Sequence, residues 1–300
     1  VKSLRTKSYL PGVALDVGRN VRRQNFGLDW ITMKIIEPAT GLEFYELSQP
    51  FGHDIPTVPG YADAQLIRPV THAKHGVMAH RLKMVMHTST HVNAPIHLIQ
   101  GGLGAGDLDL QHFFGSGVAV DIPKDQWQLV TPEDLENAKL DIRPDDIVII
   151  NTGWHRRYSD SQEYFGYGPG LSEAAAQLLV SKGAKMVGVD TAFVDHPLAT
   201  SMGPHRNGPQ ISRLPQHYKE TTGRDAKEDY PDWNPAHRTL LGAGIPTLEN
   251  VGADLDSVTG KRCTFQAYPW RWPEADACVV RLVAILDPAA TYRLSSGETE

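Results

Sequence analysis

His87-Thr88-Ser89-Thr90-His91-Val92-Asn93-Ala94-Pro95-Ile96-His97 places three imidazoles and a side-chain amide within eleven positions. Neutral imidazole is the commonest metal ligand, and six of the thirteen histidines fall between His72 and His97. In an extended segment alternate side chains share a face, so His91, Asn93 and His97 can point one way, and a turn before them brings in His87. A continuous helix would align His87 with His91, but Pro95 and the β-branched Thr88, Thr90 and Val92 oppose it. The stretch predicts a loop wrapped around an ion. A lone His-x-x-x-His pair would instead read as surface histidines, and His72, His75 and His80, which lack matching spacing, are read as solvated or structural.

Outward from this stretch the chain alternates strands and helices. Leu82 to Met86 predicts a strand delivering His87 to its end, and Val118 to Ile122, Asp146 to Asn151, Met186 to Val189 and Val279 to Leu286 predict further strands. Thr131-Pro132-Glu133-Asp134 has the N-cap hydroxyl, first-turn proline and acids of a short helix. Ser172 caps another, running through Leu179 and stopped by Gly183. Asn234-Pro235-Ala236-His237 opens a third that should end near Gly242 or Gly244. His237 then sits at a positive helix end, which disfavours its protonation. Between Asp195 and Pro235 no periodicity is visible, and a connection this long is expected to be a lid or an intersubunit arm. Residues 1 to 42 are polar and irregular and read as an arm outside the core.

The quoted stretch resembles the signature His-x-Gly-Thr-His-x-Asp-x-Pro-x-His of the cyclase family of metal-dependent hydrolases. Ser89 stands where that pattern has Gly, and Asn93 where it has Asp. Other pieces follow in the family's order: Leu47-Ser48-Gln49-Pro50 with Ile55-Pro56 and Pro59-Gly60, where Val58 replaces the usual aromatic; Asn151-Thr152-Gly153-Trp154; Gly188-Val189-Asp190-Thr191 with Asp195; and His237-Arg238 through Gly244-Ile245-Pro246 to Glu249-Asn250. The likeness spans about residue 44 to about residue 287.

The resemblance implies an α/β fold of the swivelling β/β/α type: an N-terminal arm (1–42), then one hydrolase domain (43–300) with a long insertion at about 196–234. It also implies a site. His87, His91 and Asn93 would ligate one divalent ion, Mn²⁺ or Zn²⁺. His97 would transfer protons or bind metal. His237 and Glu249 would serve a second metal or a proton relay, and Trp154, Val58 and His205 are the candidates for substrate contact. An ion in such a site polarises a carbonyl and activates water, so the expected reaction is hydrolysis of a C–N or C–O bond in a small amide, cyclic amide or lactone. Asn93 offers one neutral oxygen where Asp would offer a charged, bridging pair, which favours a mononuclear site.

Composition sets the remaining bounds. Three hundred residues suffice for a buried core, and 41% hydrophobic content argues against disorder. A net charge of −6 with mixed signs gives no phosphate-neutralising patch, so nucleic acid is not an expected partner. No apolar run nears the roughly 20 residues that span a bilayer, and Val1-Lys2-Ser3-Leu4-Arg5 opens no signal-peptide stretch. Two cysteines make no disulfide framework, so a reducing cytoplasm is expected; the resemblance implies a homodimer or homotetramer acting on a small molecule. Two other classes compete: a catalytically silent cyclase-like binding protein, and a non-haem iron oxygenase, whose two-His-one-carboxylate triad the segment His91-Val92-Asn93 lacks.

Overall fold

The computed structural model describes residues 34–205, 213–292, 294, 295 and 297. Its strands, in chain order, are β1 (Ile35–Ile36), β2 (Glu43–Glu46), β3 (Gln65–Val70), β4 (Ala79–Lys83), β5 (His91–Asn93), β6 (Phe114–Asp121), β7 (Leu129–Val130), β8 (Ile147–Asn151), β9 (Gly170–Leu171), β10 (Met186–Val189), β11 (Thr247–Glu249), β12 (Lys261–Gln266), β13 (Ala277–Val279) and β14 (Val283–Leu286). Ten of them form one curled sheet in the order β1-β2-β14-β12-β6-β8-β10-β11-β5-β13, giving a mixed α/β architecture. The middle four, β6, β8, β10 and β11, are parallel, and antiparallel strands flank them on both sides.

Parallel strands are covered on both faces and so read as continuous apolar runs. In β8, Ile147 and Ile149 enter one core with Met186, Leu248 and Phe265. Val148 and Ile150 enter the other, under the helices Glu173–Ser181 and Pro235–Gly242, with Leu179, Ala236 and Leu240. The short helix Pro132–Glu136 carries the expected N-terminus as a full capping box between Thr131 and Asp134. Ser172 caps the next helix by accepting from the Ala175 N–H.

The departures have physical causes. The strand expected at Leu82 to Met86 is β4, which stops at Lys83, where its partner β3 begins at Gln65; every β4 residue is exposed. The strand expected from Val279 to Leu286 is two, β13 at one sheet edge and β14 between β2 and β12, because the chain crosses between them. β6 begins at Phe114, four residues before the expected start. Its Phe-Gly-Ser-Gly opening looks like a turn, yet a Cβ on Gly117 would lie 1.9 Å from the Ile147 oxygen, so glycine permits the close pairing with β8. Ile35–Ile36, at the end of the expected arm, pairs antiparallel with β2; residues 1–33 lie outside the described residues.

The insertion, which shows no periodicity and is expected to be a lid or an intersubunit arm, contains the helices Leu214–Thr222 and Ala226–Asp229. It also buries Leu198, Met202, Leu214 and Tyr218 in a third cluster with Trp127, Trp154 and Tyr164. These apolar residues meet one another, as Tyr218 meets Tyr230 with ring centroids 5.9 Å apart, as well as the rest of the domain, across several short elements that share no single period. Residues 206–212 within it lie outside the described residues.

His196, at the start of this segment, is buried and stacks on Tyr230 with centroids 4.0 Å apart. Its Nδ1 accepts from the Leu198 N–H, and burial pushes its pKa down to about 3. Unfolded histidine titrates near 6.5, so between about pH 6.5 and 3 the unfolded chain holds the extra proton and stability falls as pH falls. His196→Asn, whose side-chain oxygen can still take the Leu198 N–H, is expected to flatten this slope. From pH 7.5 to 5 the wild type should lose up to about 2 kcal/mol more than the variant in urea unfolding. Equal losses would remove His196 as the cause.

Candidate metal centre

The site lies where β5 and β11 pair. Val92 and Leu248 enter one core, which leaves His91 and Asn93 on the opposite face, directly across from Glu249 and Thr247. The helix Pro235–Gly242 packs on that side and contributes His237. Pro95 then bends the chain into a 3-10 turn ending at His97, so His97 arrives by a turn rather than along an extended strand. The imidazoles nevertheless gather: the His87 ring centroid is 5.2 Å from that of His91 and 4.2 Å from that of His97, which is 5.6 Å from that of His237.

Ser89 shows why glycine suits its position. Its φ is +55°, a left-handed conformation that glycine adopts without penalty. The resulting turn aims the Ser89 carbonyl at two donors: His91 Nδ1 at 2.9 Å and Asn250 Nδ2 at 2.9 Å. The Thr90 hydroxyl donates to the Asn250 carbonyl at 2.6 Å and accepts the Gln49 N–H at 2.8 Å, tying the signature to the opening loop.

The bond from Nδ1 to Ser89 fixes the His91 tautomer and leaves Nε2 as a lone pair. That nitrogen is buried, lies 3.1 Å from Glu249 Oε2, and has no hydrogen-bond partner. A lone pair facing a buried carboxylate oxygen is repulsive unless a cation lies between them. Asn93 Oδ1, also buried, likewise lacks a partner, while its Nδ2 donates to Thr247 Oγ1 at 3.3 Å. Ligand atoms of His87, His91 and Glu249 lie within 4.8 Å of one another, as do those of His87, His97 and Asp276. The donor set fits a divalent ion.

Two consecutive residues hold the distal members in place. The Val194 N–H donates to Glu249 Oε1 at 2.9 Å. Asp195 accepts the Ala236 and His237 N–H groups at 2.8 and 3.0 Å, gripping the start of the helix that carries His237. Burial raises the Asp195 pKa to about 7 despite those bonds. Burial would also raise Glu249, but a proton on His91 between the two groups, with positive charge on His237 and His87, would outweigh it and bring its pKa to about 2; a bound cation would act in the same direction. Burial lowers His97 to about 3, helped by His87 and His237, and lowers His237 to about 4. Burial is the first cause of the neutral His237, where the helix end was expected to act. His237 Nε2 lies 2.8 Å from Thr247 Oγ1, and its Nδ1 lies 4.0 Å from Glu249 Oε1.

A cavity of about 210 Å³ opens onto this cluster, reaching His87, His97, His237 and Glu249. Among its walls are Val58 and the aromatic side chains of Tyr61, Phe193 and Trp233. Trp154 is not in that wall: it is buried in the third cluster, and its indole N–H is taken by the Tyr164 carbonyl at 3.1 Å. His205 is not there either, being exposed with Nε2 2.8 Å from the Tyr230 carbonyl.

Asp276 was not foreseen. Its Oδ2 lies 2.9 Å from His87 Nε2, 189 residues away in sequence, and that bond is the first cause of its pKa falling to about 2. No spacing rule links it to the signature.

The fold and the clustered imidazoles define a class. Residues 45–196 match the Cyclase family model, and the chain belongs to that family. It is 29% identical over 244 residues to a kynurenine formamidase of Bacillus cereus, covering 80% of this chain and 96% of that protein. Among solved structures it resembles isatin hydrolase A from Labrenzia aggregata, with a TM-score of 0.64 and 20% identity over 81% of this chain and 93% of the other. An isatin hydrolase bound to the product analogue thioisatinate gives 0.65 and 18%, over 82% and 92%.

Proposed function

We propose that this chain is a metal-dependent hydrolase that cleaves a C–N or C–O bond in a small amide, cyclic amide or lactone. The observation that carries the reading is the unpartnered, lone-pair-bearing His91 Nε2 held 3.1 Å from the Glu249 carboxylate. His87, His91, Asn93 and Glu249 would hold one ion, and imidazole with hard oxygen donors accepts Mn²⁺ or Zn²⁺. When bound, a divalent ion polarises a carbonyl and makes water nucleophilic near neutral pH. His97, neutral and facing the cavity, takes and returns protons. His237 stands across the cavity as a second proton carrier or a ligand for a second ion. Tyr61, Phe193 and Trp233 offer a flat substrate apolar surfaces, and the relatives named kynurenine formamidase and isatin hydrolase support an amide or cyclic amide.

The fold is read in the same way as the swivelling β/β/α type, and the protein as a cytoplasmic homodimer or homotetramer. No helix among the described residues is long and apolar enough to cross a membrane. Light scattering would fix the oligomeric order.

Metal analysis of the purified protein, followed by assays on N-formyl-kynurenine, isatin and a dienelactone, tests the activity. Retained metal without turnover on any of them would favour the silent binding protein. The oxygenase needs a separate arm. Glu249 supplies from β11 the carboxylate that the His91-Val92-Asn93 segment lacks, so His87, His91 and Glu249 have the composition of a two-His-one-carboxylate triad. Turnover that stops without O₂ would select it.

Asn93 gives a further prediction. Asn93→Asp is expected to raise bound metal from about one toward two per chain and to tighten the first site, since an anionic oxygen offsets dication charge better than an amide. Activity need not rise. Wild-type protein already holding two ions after washing, or a variant that binds no more ions and no more tightly, would defeat the charge argument.

A further inference from the structure

Asp276 reaches the centre from the sheet edge beyond β5, just before β13. Its carbonyl accepts the Ala94 N–H at 2.9 Å, which anchors it beside the signature stretch. Its side chain is half exposed, whereas that of His87 is only 9% exposed. Oδ2 lies 2.9 Å from His87 Nε2 and 3.9 Å from His97 Nδ1, so the hydrogen bond is to His87.

We propose that Asp276 is a positioning residue of the metal centre: it accepts the Nε2 proton of His87, leaves Nδ1 as the ligating nitrogen, and supplies the second negative charge that the neutral Asn93 does not. The inference rests on the metal-centre reading above. An ionised carboxylate can only accept, so the nitrogen facing it carries the hydrogen and the lone pair belongs to the other ring atom. His91 is held by the same logic from the opposite ring atom, with its Nδ1 on the Ser89 carbonyl and Nε2 left free. Each imidazole thus has its own outer partner, an arrangement that orients ligands and makes them more basic. Charge points the same way. Glu249 is one anion against a dication, and among the described residues Asp276 is the other carboxylate with an oxygen grouped within 4.8 Å of the imidazole nitrogens, those of His87 and His97. With Nε2 donating to Asp276, His87 has only Nδ1 to offer an ion, so Asp276 holds His87 rather than sharing an ion with it through Nε2.

The test uses the full chain with Zn²⁺, in chelator competition, together with ¹⁵N histidine spectra of metal-free protein. Asp276→Ala is expected to weaken Zn²⁺ binding about 10- to 100-fold with stoichiometry unchanged, and to turn the single His87 tautomer into a mixture. Asp276→Asn keeps an oxygen acceptor but not the charge. It should hold the tautomer and lose less affinity. A merely structural role would lower the melting temperature of both variants without changing the tautomer. Loss of a whole ion from Asp276→Ala would make Asp276 a ligand and overturn the proposal, as would unchanged affinity or a wild-type His87 protonated at Nδ1. Wild-type protein that binds no Zn²⁺ would defeat the metal centre itself. The metal-free spectra separate that failure from failure of the tautomer assignment.

Discussion

Replacing His91 by alanine is expected to empty the centre of metal and to abolish turnover together. His91 is 1% exposed, lies directly across β5 and β11 from Glu249, and presents the one nitrogen whose tautomer is fixed toward the carboxylate by the Ser89 carbonyl. Removing it withdraws a ligand, and loss of the ion leaves the Glu249 carboxylate buried with no cation to offset it. An unpaired buried charge costs several kcal/mol, so the variant should also melt at a lower temperature. Metal analysis on protein shown to be folded by circular dichroism separates the two effects. Wild-type metal content in folded His91→Ala would remove His91 from the ligand set.

His97→Ala should behave differently, with turnover falling by about 10² to 10⁴ while most of the metal stays. The His97 side chain is 23% exposed, borders the cavity, and sits 3.9 Å from Asp276, too far for a hydrogen bond. Burial and the neighbouring imidazoles lower its pKa to about 3, so near neutral pH it is uncharged with a free lone pair, and it holds a proton only transiently. The lost proton transfer should appear in kcat. Complete loss of metal would instead make His97 a ligand, in the alternative group with His87 and Asp276. Full activity would transfer the proton role elsewhere, with His237 the next candidate.

The two variants test groups that the sequence placed within one short stretch, and in that respect the signature was legible. The spacing of His87, His91 and Asn93 and the proline before His97 were enough to predict a non-helical segment gathering imidazoles. The distal pair His237 and Glu249 was legible only through the likeness to a known family, since two residues so far from the signature share no period with it. The apolar run Ile147–Ile150 marked a strand covered on both faces, because a chain buried on both sides has no polar alternation to show.

Other features depended on contacts between segments remote in sequence. Asp276 meets His87 only because β13 pairs with β5 at the sheet edge. Val194 and Asp195 hold Glu249 and His237 only because β10 lies beside β11 and the following segment meets the helix start. Trp154 looked like a substrate contact in its motif, but the fold turns its ring into the core, where Tyr164 takes its N–H. The insertion showed no periodicity because its apolar residues lie on several short elements that pack on one another and on the rest of the domain. Local sequence determined which residues could ligate an ion and which segments could be strands, since these depend on side-chain chemistry and short-range geometry. Tertiary structure decided the tautomers, the second carboxylate and the cavity walls, since each depends on which atom of a distant residue lies within hydrogen-bond or contact distance.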